Sequence, residues 1–187
     1  KIDFNNQNKN FFRLDGKYSF NNKEYLDFSL TNTILKDIYN IEFNFDFDKE
    51  INVKLINYKK NEKKVAQINS KIELKNDRIS FKEVKYTEGK NLISLKNLKI
   101  EKKKFISLSE LEVKTFSNQI LNNQFNIQFD KDIKIYGDRY DAKNLSSFLT
   151  KDNKDSVFNR LSKDIDISFK NIKTPLSKKI KNFKLLG

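Results

Sequence analysis

The stretch Ile41-Glu42-Phe43-Asn44-Phe45-Asp46-Phe47-Asp48 alternates apolar and polar side chains without a slip. Successive side chains on a β-strand point to opposite faces, so this segment presents one greasy face and one wet face. The pattern restarts at Ile51, Val53 and Leu55, at Ile72 and Leu74, at Ile79 and Phe81, at Phe125, Ile127 and Phe129, and at Ile165, Ile167 and Phe169. A chain of such strands makes a long sheet with one apolar side, and that side must be covered by a second sheet, a partner or a lipid.

Strands are expected near 11–20, 24–31, 38–48, 50–57, 65–75, 78–87, 91–100, 105–114, 118–129, 132–137, 163–170 and 180–186. Turn signals recur about every dozen residues, the spacing of successive antiparallel hairpins. Asp48-Lys49-Glu50, Asn76-Asp77 and Lys102-Lys103-Lys104 are the clearest. With only 4 Gly and 1 Pro, asparagine takes over as the turn residue, as at Asn21-Asn22 and Asn122-Asn123, because it tolerates turn backbone better than most side chains. Breaks in alternation at Leu92-Ile93 and Leu108-Leu111 predict bulges or edge twists.

One segment follows another period. After Gly137, Asp141-Ala142-Lys143-Asn144-Leu145-Ser146-Ser147-Phe148-Leu149 places apolar residues at helical spacing, which predicts a short amphipathic helix over 141–150 with Asp141 as its N-cap. Asp155 or Ser156 can cap a second turn through Val157, Phe158 and Leu161. The expected fold is thus mainly β: a long antiparallel meander curled into an open groove or partial tube, with one helical insertion near 141–161. Residues 1–187 read as a single segment of a longer protein, since the chain contains no methionine and begins at Lys1.

Composition narrows the function classes. Hydrophobic content of 37% and charged content of 34% resemble a disordered chain, but 17 Phe and 7 Tyr placed in register argue for a fold. No run approaches the roughly 18 apolar residues that span a bilayer. There is no histidine and no cysteine, so the commonest general base, thiol nucleophiles and zinc ligands are all missing. Asp46 and Asp48 share a strand face, but Glu42 and Asn44 continue the same stripe, which reads as a solvated outer face. Asp152-Asn153-Lys154-Asp155 breaks the spacing of a calcium loop. No enzyme and no cofactor are expected.

The net charge of +13 raises nucleic acid or an anionic surface as partners. The lysines are spread along the chain, however, and the aromatics share faces with aliphatic residues rather than with charge. A base-stacking platform needs rings and cations on one face, so no nucleic-acid partner is expected.

The stretch Ile135-Tyr136-Gly137-Asp138-Arg139-Tyr140-Asp141-Ala142, a strand stepping into a short helix, precedes the alternating Asp164-Ile165-Asp166-Ile167-Ser168-Phe169 and a further strand from Ile180 to Leu186. Over about residues 130–187 this resembles the AsmA-like family of bacterial envelope proteins, of the YhdP and TamB type; the rest is similar in architecture alone. The chain departs from that pattern in being richer in Lys and Asn and poorer in turn glycines. The resemblance implies an incompletely closed β-groove in the periplasm. Its anchor in the inner membrane would lie in a part of the protein not present here, and the groove would conduct phospholipid acyl chains between inner and outer membrane.

On that expectation the groove is lined by Phe43, Phe45, Phe47, Val53, Leu55, Ile72, Leu74, Ile79, Phe81, Phe125, Ile127 and Phe129, and needs no catalytic residue. The alternative is a structural or adhesive β-solenoid or sandwich of the cell envelope with a closed core; a third reading is a basic nucleic-acid-binding β domain.

Overall fold

The computed structural model describes residues 2–3, 10–145, 164–176 and 179–187. Its strands are β1 (Ile2–Asp3), β2 (Phe11–Tyr18), β3 (Leu26–Leu35), β4 (Ile38–Phe47), β5 (Ile51–Val53), β6 (Tyr58–Lys60), β7 (Ala66–Lys75) and β8 (Arg78–Glu88). They continue as β9 (Asn91–Glu101), β10 (Lys104–Ser107), β11 (Glu110–Ser117), β12 (Ile120–Phe129), β13 (Ile133–Asp141), β14 (Ile165–Lys173) and β15 (Ile180–Leu186). All but β5 and β6 join one thirteen-stranded sheet, in the order β1-β2-β3-β4-β7-β8-β9-β11-β12-β13-β14-β15, with β10 paired on β9. The sheet is an open, curled meander that does not close into a barrel.

Alternation sets the register. Phe45 sits between Phe28 and Ile68, Ile68 faces Tyr86, and Tyr86 faces Ile93. Farther along, Val113 lies opposite both Ile93 and Phe125. Direct cross-strand partners point to the same side, so these pairings string the apolar residues into one continuous face. A slip of one residue on any strand would turn its phenylalanines to water.

The turn from β8 to β9 places Gly89 at a φ of 55°, but three other tight turns are built without glycine. Lys36-Asp37, Lys102-Lys103 and Asn118-Gln119 each place two consecutive residues at positive φ, the backbone of a two-residue hairpin turn whose twist matches the flanking strands.

Five expectations are corrected. The junction of β13 and β14 is parallel, from Ile133↔Ile165 to Asp141↔Lys173; parallel neighbours need a long crossover, and the chain between them supplies one. Asn122-Asn123 is no turn but the interior of β12; the turn falls at Asn118-Gln119. The predicted strand 105–114 is divided at Leu108-Ser109 into β10 and β11, and Leu92-Ile93 runs in regular register with both neighbouring strands. The predicted strand 50–57 is not part of the main sheet: β5, a 3-10 helix (Lys54–Ile56) and β6 form a separate two-stranded hairpin.

Asp141, expected as an N-cap, ends β13, although its Oδ1 still accepts the Lys143 backbone N–H at 3.3 Å. The remainder of the predicted helical excursion, 146–161, lies outside the described residues.

Candidate functional site

The apolar face of the sheet divides into two zones according to what the hairpin of residues 48–65 covers. Ile56 and Tyr58 of the hairpin join Ala66, Tyr86, Val113, Phe125, Phe169 and Ile172 in one buried cluster. Those partners come from strands β7 to β14, and flat neighbouring strands would spread them over about 30 Å. The sheet therefore curls around the hairpin. Tyr58 is 2% exposed, Val113 2% and Phe125 7%, as tight as any ordinary core.

Polar side chains fasten the hairpin to the sheet by its carbonyls. The Asn123 Nδ2 donates to Ile56 O at 2.6 Å and to Thr115 Oγ1 at 2.8 Å, while its Oδ1 accepts the Asp141 N–H at 2.8 Å. Tyr140 OH donates to Leu55 O (3.1 Å), and Asn57 Nδ2 donates to Asp141 Oδ2 (3.1 Å). Asn57 itself adopts a left-handed φ of 47° at the hairpin tip. Asn123 is fully buried, and its amide substitutes for the backbone partners that an unpaired carbonyl crossing a sheet would lack.

A second group secures the base of the hairpin. Tyr58 OH and Tyr86 OH share a hydrogen bond of 2.7 Å, and Tyr58 OH also reaches Glu88 Oε2 at 3.2 Å. Burial pushes the Tyr58 phenol well above its ordinary value, with the Tyr86 hydrogen bond adding to the shift. Lys60, 1% exposed, donates to the carbonyls of Lys49 (2.7 Å) and Asn61 (3.2 Å) and lies 5.3 Å from the Phe47 ring centre. Burial lowers its pKa, opposed by the negative charge of Asp48. Asp48 corrects the expected solvated stripe: it leaves the end of β4 and is buried, and its Oδ1 has no hydrogen-bond partner.

Away from the hairpin the same face is open. Phe43, Phe45 and Phe47 are half-buried and form a row with ring centres 5.6 and 6.4 Å apart, against which Tyr18 stacks at 4.7 Å from Phe45; the row meets the base of the hairpin at Phe47, beneath Lys60. Ile72, Leu74, Ile79 and Phe81 continue the row in register and are also half-buried. Toward the turns at 35–38 and 75–78 the cover ends, leaving Tyr39, on the same face as Phe43, 46% exposed.

Of the predicted lining residues, Phe43, Phe45, Phe47, Ile72, Leu74, Ile79, Phe81, Phe125, Ile127 and Phe129 thus share the apolar face. Phe125 is sealed beneath the hairpin, while Ile127 and Phe129 lie on the same strand toward its open end. Val53 and Leu55 are corrected: they ride on the covering hairpin, where Val53 packs inward against the core. Sequence reasoning missed Tyr18, Phe28, Ile68 and Tyr86, which the register brings into the same face. Their signal was the same alternation, diluted by polar residues on the apolar face itself, such as Asn32 and Ser70.

The opposite face is polar and charge-paired. Lys71–Glu42, Lys82–Glu73 and Lys96–Glu110 bridge neighbouring strands at 3.8, 3.0 and 3.0 Å. Among the described residues no group of His, Cys, Asp and Glu is arranged to hold a metal, and no helix is long and apolar enough to cross a membrane. No family model, curated protein or solved structure matches the chain.

Proposed function

We propose that this chain is a lipid-binding segment of a larger envelope protein, holding acyl chains on the uncovered part of its apolar face. The observation that carries the reading is the half-buried row Phe43, Phe45 and Phe47 with Ile72 and Leu74 beside it. These residues form a contiguous apolar floor on an unclosed sheet, and no strand of the described residues is stacked over Phe43 and Phe45. Exposed apolar surface of this extent marks a binding face, and each methylene transferred onto it from water gains about 0.8 kcal/mol. Binding of this kind needs no catalytic group. The hairpin gives the trough a closed end, so chains enter from the side of the 35–38 and 75–78 turns and stop before Tyr58. Conduction of phospholipid between membranes, and a place in the periplasm, extend this reading along the resemblance to AsmA-like proteins.

The test is photo-crosslinking in cells, with a benzophenone side chain at Phe45, Asn44 or Tyr86 of the full-length protein. Lipid adducts are expected at Phe45 and not at Asn44, whose side chain lies on the polar face, nor at Tyr86 under the hairpin. A folded protein with no adduct at Phe45 would replace this reading by the structural one, a domain whose apolar face is sealed by protein. The packed zone around Val113 is the observation that favours that second reading.

A further inference from the structure

A second concavity, of about 400 Å³, opens beyond the hairpin tip where β12 begins and β13 and β14 end. Arg139, Lys143, Lys173 and Lys179 line it, together with the amides of Asn57 and Asn122. Its one carboxylate among the described residues, Asp141, is 3% exposed. Both Asp141 oxygens are turned into the protein, Oδ2 toward Asn57 Nδ2 and Oδ1 toward the Lys143 N–H.

This arrangement differs from that of the paired lysines on the outer face. There Lys71, Lys82 and Lys96 each sit opposite a carboxylate on a neighbouring strand, whereas here the cations converge on one concavity. At the rim, no carboxylate of the described residues lies within pairing distance of Arg139, Lys143 or Lys173, and Arg139 donates to the Leu121 carbonyl at 3.2 Å. Several cations held around one concavity repel each other, and an anion placed among them removes that repulsion while gaining charge-assisted hydrogen bonds. A guanidinium, ammonium groups and neutral amides together match an oxyanion that has several acceptor atoms.

We propose that this concavity binds a phosphoryl group, either free phosphate or the headgroup of a phospholipid. The site stands apart from the apolar floor, so it does not depend on acyl chains binding there.

The test is a titration of the isotopically labelled chain, followed by amide resonances, with sodium phosphate and separately with dihexanoyl phosphatidic acid below its micelle concentration. Saturable shifts are expected in residues 139–143 and 171–173. Arg139→Gln/Lys173→Gln should weaken binding at least about tenfold, the loss expected from removing charge-assisted contacts. Lys71→Gln/Lys82→Gln carries the same charge change on the outer face and should alter affinity by less than about twofold. Saturation by both probes assigns a free phosphoryl group, and saturation by phosphatidic acid alone assigns a headgroup. Shifts that fail to saturate at millimolar concentrations with either probe overturn the proposal, as does equal weakening in the two double variants. Since all four exchanged side chains are exposed, each variant is expected to keep its fold, which circular dichroism checks.

Discussion

Around Phe125 and around Phe45 the molecule uses the same sequence pattern on the same sheet, yet one zone is a core and the other an open floor. Phe125 contacts Tyr140 and Phe169 edge-on or nearly so, with ring centres 5.5 and 5.8 Å away, under a hairpin that excludes water. Phe45 lies between Phe43 and Tyr18 in a stacked row that nothing in the described residues covers. The alternation specifies which side chains share a face; it does not specify what lies over that face. Here the difference is made by a segment of 48–65 that leaves the meander between β4 and β7 and folds back across it.

The sharpest way to break this comparison is truncation of one ring in each zone. Phe125→Ala should cost about 3–5 kcal/mol, the usual result of emptying a packed aromatic site. Phe45→Ala should cost about 1 kcal/mol, because the ring is only half removed from water. Urea unfolding of the two variants measures both, and equal losses would mean that the Phe45 zone is as sealed as the other.

Two glycines offer a second contrast. A Cβ on Gly137 would lie 2.3 Å from Gln124 O and 2.5 Å from Phe125 Cα, which is backbone that cannot step aside. On Gly16 it would meet only the Phe28 ring, at 2.8 Å. Gly137→Ala is expected to destabilise by about 1–3 kcal/mol, and Gly16→Ala by much less, since the atoms it meets are the far end of a side chain, which can turn aside as backbone cannot. Thermal unfolding distinguishes them.

The smallest effect concerns pH. Burial holds Tyr58 above its ordinary value of 10.0, so the folded chain keeps a proton that the unfolded chain gives up near pH 10. Stability from this group is complete below that pH and falls as pH rises through and beyond it. Lys60 acts in the other sense: its lowered folded pKa makes stability grow as pH climbs toward 10.5. Tyr86 and Tyr140 are also raised by burial, Tyr140 to about 12, so the tyrosines dominate and the fold should weaken in alkali. Tyr58→Phe should lose about 1–2 kcal/mol at neutral pH with its hydrogen bonds. Its melting temperature should fall less steeply above pH 10 than that of the unaltered chain.

Much of the sheet was legible in the sequence because alternation, turn spacing and left-handed turn residues all specify the same hairpins. The covering hairpin was not, since Ile51, Val53 and Leu55 alternate as any strand does, and nothing local says that their partner is β6 instead of the main sheet. Asn122-Asn123 misled for a related reason. Asparagine is common in turns because its amide imitates a backbone group, and that same property lets Asn123 serve inside a strand as the partner of Ile56 O and the Asp141 N–H. The parallel pairing of β13 with β14 depends on where a crossover lands, which no residue of either strand encodes by itself. For the trough, the floor residues on the long strands were found by periodicity, whereas its closed end followed from tertiary contacts alone.

A closed barrel has its radius set by strand number and shear. This sheet does not close, so no such constraint fixes the width of its trough; the girth is an elastic quantity, governed by the twist accumulated from strand to strand. On the proposed reading, the segment would measure its cargo by length rather than by cross-section. Tails of differing bulk or unsaturation would spread the walls by small amounts, while the distance from the open turns to Tyr58 would limit how many carbons can be accommodated.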